Sequence, residues 1–133
     1  MKRTSLRVEP ISDFLERYRK GSKAYPVAIA GNMVFVSGLP PFDPETGDIK
    51  PVPFGRQAEL VMEQMKRCLE AAGTSLDGVL KCNVYCVPGE GRFQAFNEIY
   101  GRYFPEDQPA RIFLCPAAWP GPFDIEVDCI AVV

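Results

Sequence analysis

Residues 123–132 read Phe-Asp-Ile-Glu-Val-Asp-Cys-Ile-Ala-Val. Phe123, Ile125, Val127, Cys129 and Ala131 fall on one side, and Asp124, Glu126 and Asp128 on the other. That period of two belongs to a strand with one face buried. Working back along the chain, Ala110–Cys115 reads as another strand. Before it, Phe93, Phe96, Tyr100, Tyr103 and Phe104 give Phe93–Phe104 the pattern of an amphipathic helix, and Val79–Val87 is a further apolar strand. Arg56–Ala72 is the clearest helix. Its Ala58, Val61, Met62, Met65, Cys68, Leu69 and Ala72 recur at helical spacing, and Gly73 stands where a C-terminal cap belongs.

The first half is shorter in its rhythms. Val27–Ala30 and Met33–Ser37 flank Gly31-Asn32, the signal of an antiparallel hairpin. Leu39–Gly47 is a proline-rich turn region, and Ile49–Val52 is expected as a short edge strand interrupted by Pro51. Ile11–Lys20 is expected as a short helix, with Ser12 as N-cap and Phe14, Leu15 and Tyr18 on one side. The order gives an α+β domain, a mixed sheet with the two long helices on one face. Acids alternating along the last strand leave the other face partly polar, and a sheet face bare of helices suggests packing against another subunit.

The 133 residues suit a single domain, 1–133, that buries roughly two-thirds of its unfolded surface. There is no histidine, which excludes Ser-His-Asp triads, Cys-His dyads, His-ligated zinc and paired-histidine ribonuclease chemistry from this chain alone. Chemistry must come from carboxylates, arginine, lysine, tyrosine, cysteine, backbone dipoles and water. Cys68, Cys82, Cys86, Cys115 and Cys129 are odd in number and do not suggest a disulfide framework. The N-terminus lacks the apolar stretch of a signal peptide, and no run approaches the roughly 20 apolar residues of a membrane span. A cytoplasmic protein with reduced thiols is the expectation. Net charge is −2, yet residues 1–23 hold seven Lys/Arg against three acids. Such a basic arm could touch RNA or a membrane surface; more often it is a solvated helix or packs against an acidic neighbour.

Pro109-Ala110-Arg111-Ile112-Phe113-Leu114-Cys115 carries the chemistry. Arg111 opens an apolar strand, where a guanidinium is costly to bury unless paired. Its fork matches a carboxylate bidentately, either an internal one such as Glu126 or Asp128, or a ligand's. Cys82 and Cys86 share one side of a strand without further ligands and read as core thiols; no metal site is expected. Asp124, Glu126 and Asp128 read as an interface charge network, with Glu126 the best functional candidate. Gly89-Glu90-Gly91 lacks the context of a phosphate loop.

The chain resembles the RidA (YjgF/YER057c/UK114) family of reactive-intermediate deaminases over about residues 25–133, behind a variable basic arm, 1–24. The matching stretches are Gly31-Asn32-Met33, Val36-Ser37-Gly38, Asp43–Gly47, Gln57, Glu70–Gly73, Val79–Tyr85, Phe96–Tyr100, Pro109-Ala110-Arg111 and Ile125–Ala131. No one motif is strong; their order and spacing are specific. The resemblance implies a chorismate-mutase-like α+β fold, a homotrimer with a ligand cleft at each subunit interface, and hydrolysis of enamines or imines to 2-oxo acids and ammonia without cofactor. It implies that Arg111 clamps a small substrate's carboxylate, that Glu126 positions or activates water, that Gly38 beside Ser37 approaches the ligand, and that Asn97 lies near the cleft. Such chemistry needs only a held electrophile, a placed water and a proton path.

The departures concern the pocket. Phe113 stands where the family often has cysteine, with Cys115 two residues on and facing the same way. Tyr25 precedes Pro26 where the family has Pro-Tyr-Ser, and Leu39 replaces a glutamine. Trp119-Pro120-Gly121-Pro122-Phe123 is bulkier than the usual turn. A more apolar and aromatic pocket, with a larger substrate, is the expectation. The alternatives are a specialised deaminase or amidohydrolase of a degradative pathway, and a non-catalytic carboxylate-binding sensor or interaction module.

Overall fold

A computed structural model describes residues 2–133. The chain runs β1 (Thr4–Leu6), α1 (Ile11–Tyr18), β2 (Val27–Ala30), β3 (Met33–Val36), α2 (Phe54–Ala71), a 3-10 turn (Leu76–Gly78), β4 (Val79–Cys86), α3 (Arg92–Tyr103), β5 (Ala110–Leu114) and β6 (Ile125–Val132). One sheet holds all six strands in the order β1-β2-β3-β6-β4-β5, with β4 and β5 parallel and every other pair antiparallel. The α+β reading with a mixed sheet holds.

The alternating strand lies inside the sheet, paired with β3 on one side and β4 on the other. Ile125, Val127, Cys129 and Ala131 are buried, as the period of two requires. Against that face lies α2, which buries Ala58, Val61, Met62, Met65, Cys68 and Leu69 and ends at Gly73 in the left-handed region (φ +84°). Packed on α2 is α3, which buries Phe96, Ile99 and Tyr100. The β4–α3–β5 unit is a parallel crossover, and it carries β5 to the sheet's outer edge.

Three local expectations change. Ile49–Val52 is not a strand: Pro51 lies within it and Pro53 follows it, and proline has no N–H to give a ladder. Ser12 does not cap α1; Pro10 precedes the helix, while buried Ser12 accepts the Val8 N–H on its Oγ at 2.9 Å. Residues 4–24 of the basic arm are built into the fold rather than hanging from it, since β1 pairs with β2 and Leu15 of α1 is buried. Part of their positive charge is answered locally. Arg7 bonds Glu9, Asp13 and Glu16, and Arg17 donates to the Thr46 carbonyl at 2.6 Å.

Candidate functional site

The register of the central strands decides where each candidate side chain points. Val36 pairs with Cys129, Cys129 with Cys82, and Cys82 with Arg111. Residues opposite one another share a face, so Arg111 ends a row whose other members are buried beneath the helices. The next row on that face is Val127, Val84 and Phe113. Between these rows the pleat turns outward. Asp128, Asn83 and Ile112 form one outward row, and Glu126, Tyr85 and Leu114 another. Arg111 and Glu126 therefore stand on opposite faces of one sheet.

On the helical face Arg111 lies among rings. Its Cζ is 4.9 Å from the Tyr100 centroid, 5.8 Å from Phe113, 5.9 Å from Phe96 and 6.0 Å from Phe93. Phe93, Phe96 and Tyr100 follow one another at helical spacing, so a single stripe of α3 supplies three sides of the box. Ring faces attract a cation without neutralising it. Among the described residues no carboxylate forms an ion pair with Arg111, neither Glu126 nor Asp128. A half-buried guanidinium with its donors uncommitted is suited to an incoming anion.

Asn97 belongs to the same stripe, and its buried Oδ1 has no hydrogen-bond partner; neither has the buried Tyr100 hydroxyl. Cys115, just past β5, is exposed, whereas Cys68, Cys82, Cys86 and Cys129 are buried free thiols. Burial pushes Cys68 and Cys82 up to about 12 and Cys86 to about 11, far from thiolate reactivity at neutral pH.

The other face carries the acid. Burial pushes Glu126 up to about 7, with Asp128 adding to the rise and Arg19 opposing it. The carboxyl sits against Gly38, where a Cβ would lie 2.7 Å from Glu126 Oε1, so only glycine leaves this carboxyl its place. Ser37 precedes Gly38 and donates its N–H to the Pro26 carbonyl at 2.9 Å. Asp128 accepts from Asn83 Nδ2 at 2.6 Å. Asp124 leaves the group: it accepts from Gln57 Nε2 at 3.0 Å and pairs with Arg92, toward the helices. Trp119 stacks on Phe123 at 5.6 Å and meets Tyr85 edge-on at 6.5 Å. Tyr25 is exposed.

Gly38 and Glu126 are thus brought together, and so are Arg111 and Phe113. The two groups are not joined within one chain. The sequence does not single out the aromatic box, because aromatic residues at helical spacing read as core. The groove of about 420 Å³ bordered by Pro10, Phe14, Phe42, Arg56 and Glu63 lies on the α1–α2 side, away from both groups. Among the described residues no three Cys, Asp or Glu side chains gather as a metal site would need, and no helix is long and apolar enough to cross a membrane.

The sequence profile described as endoribonuclease L-PSP matches residues 19–133. A RutC family protein of Pyrococcus horikoshii is 40% identical over 119 residues, which span 89% of this chain and 94% of the relative. Reactive Intermediate Deaminase A, chloroplastic, of Arabidopsis thaliana is 36% identical over 104 residues, 78% of this chain and 55% of the relative. Among solved structures, Escherichia coli TdcF with bound serine superposes with a TM-score of 0.76 at 31% identity, covering 84% of this chain and 89% of that one.

Proposed function

The chain belongs to the RidA (YjgF) family, whose profile is described as endoribonuclease L-PSP, and from that premise we propose that it is an imine or enamine deaminase working at a site shared between neighbouring copies of itself. The carrying observation is the pair of half-sites on opposite sheet faces: an anion receptor at Arg111, and a near-neutral acid at Glu126. One small molecule cannot touch both in a single chain. A second copy that lays its Glu126 face beside the Arg111 edge completes the site.

The exposed face favours such a partner. Phe35, Ile112 and Leu114 are exposed there, with partly buried Ile130 opposite Phe35. That is more apolar surface than a solvated sheet face carries comfortably. A cyclic homotrimer, as the family resemblance implies, would cover it and form one site at each junction.

In the proposed reaction Arg111 holds the carboxylate of a 2-imino acid, and Glu126 of the adjoining copy accepts a proton from water. The water oxygen bonds to the imine carbon, the C=N π pair moves to nitrogen, and the proton taken from water passes to that nitrogen, giving a neutral tetrahedral carbinolamine. The hydroxyl proton is then passed to the nitrogen as well, the C–N bond breaks with its pair leaving on ammonia, and the oxygen's lone pair closes the carbonyl. The sum is imino acid plus water to 2-oxo acid plus ammonia. A carboxyl titrating near 7 is matched to taking and giving that proton.

Arg7 and Arg17 are engaged inside the chain, which favours a small carboxylate over RNA as the substrate. The test is release of ammonia and 2-oxo acid from imines made in situ by an amino-acid oxidase. The protein should accelerate release, and Arg111→Ala should lower kcat/KM by about 30- to 200-fold, the loss of a charge-assisted carboxylate pair. Binding of small carboxylates without acceleration would establish the non-catalytic sensor instead.

A further inference from the structure

The four rings around Arg111 are not equivalent, and the difference points to the substrate. Phe96 and Tyr100 are closed to solvent, at 0% and 1% exposure, and serve the core as the back of the box. Phe93 is 48% exposed, although it stands on a helix whose other aromatic residues pack inward. It meets Phe113 edge-on, with centroids 5.0 Å apart, and Phe113 is partly buried. Both lie about 6 Å from the guanidinium carbon. An exposed phenylalanine gains little for folding where it stands. A carboxylate seated on Arg111 would put the remainder of its molecule within one or two bonds of these two rings.

Resting on the deaminase reading above, we propose that Phe93 and Phe113 form an apolar wall that selects 2-imino acids with large apolar or aromatic side chains over the alanine-derived imine. The back of the box sets the guanidinium, and the exposed pair receives the side chain. A large group covers both rings and removes their surface from water; a methyl group reaches little of either. Aromatic contacts in an edge-to-face arrangement add to that burial.

The test compares imines generated in situ from phenylalanine, leucine and alanine by one oxidase, read as kcat/KM on the assembled protein. The expected order is phenylalanine or leucine above alanine by about tenfold or more, the range that hydrophobic pocket contacts supply. Phe93→Ala should reduce that ratio by about tenfold, while Phe93→Leu, which keeps apolar bulk, should retain most of it. Sedimentation of each variant accompanies the kinetics. A ratio unmoved by Phe93→Ala, or a wild-type preference for the alanine-derived imine, overturns the proposal while leaving the deaminase reading intact. Loss of the oligomer in Phe93→Ala also overturns it, by making Phe93 an interface residue. Absence of turnover with all three imines would instead sink the deaminase reading itself.

Discussion

Glu126 and Gly38 carry the sharpest consequences at the scale of single residues. Burial raises Glu126 to about 7, so its ionised fraction rises with pH across the neutral range. If the carboxylate form draws the proton from water, kcat/KM should climb through pH 7 and level off above it, and should fall about tenfold per unit well below it. Glu126→Gln should abolish that profile and cost about 10²- to 10⁴-fold in rate. Stability carries the opposite sign. The folded chain prefers the protonated acid, so this contribution is full below the ordinary 4.5 and is lost as pH rises through about 7. Glu126→Gln should therefore gain on the parent in thermal melts at pH 8 but not at pH 4. Gly38→Ala separates place from charge. Its Cβ would displace only the tip of a flexible side chain, so melting should change by less than about 1 kcal/mol while activity falls as the Glu126 mutant's does.

At the scale of elements, α2 and β6 could be read directly because each buries one face over many residues, so the period accumulates. The three residues of β1 are too few to show a period, and only pairing with β2 makes them a strand. Ile49–Val52 shows the reverse error, apolar in composition yet denied a ladder by its prolines. Arg111, Glu126 and Gly38 are candidates that the sequence offers through its family resemblance. Their separation onto two faces could not, because it depends on the register of β5 against β4, which neither strand's own pattern encodes. The stripe on α3 was hidden in another way, as Phe93, Phe96 and Tyr100 look like ordinary core. A substitution on this helix tests its double role. Tyr100→Phe keeps the ring under Arg111 and removes a buried hydroxyl that has no partner. Melting should hold steady or rise by about 1 kcal/mol, and kcat/KM should stay within about threefold, the small effect expected when the cation–π ring is retained. A large fall in KM-dependent binding would show instead that the hydroxyl meets the ligand.

At the scale of the molecule, the proposed sharing of the site between copies makes a prediction that no single-chain enzyme would meet. Arg111→Ala and Glu126→Gln proteins, each strongly impaired alone, should regain activity when unfolded together and refolded at equal amounts. In a ring where each site takes Arg111 from one copy and Glu126 from the next, random mixing leaves about a quarter of the sites intact. Activity measured against the mixing ratio should peak near equality and fall to each variant's residual level at the ends; no recovery at any ratio would confine the site to one chain. The opposite faces of the sheet also set how gene dosage acts. In the proposed shared site every copy would serve two sites, once with its arginine and once with its acid. A cell making intact chains alongside chains altered at both positions would therefore keep activity in proportion to the square of the intact fraction, and a heterozygote would fall well below half.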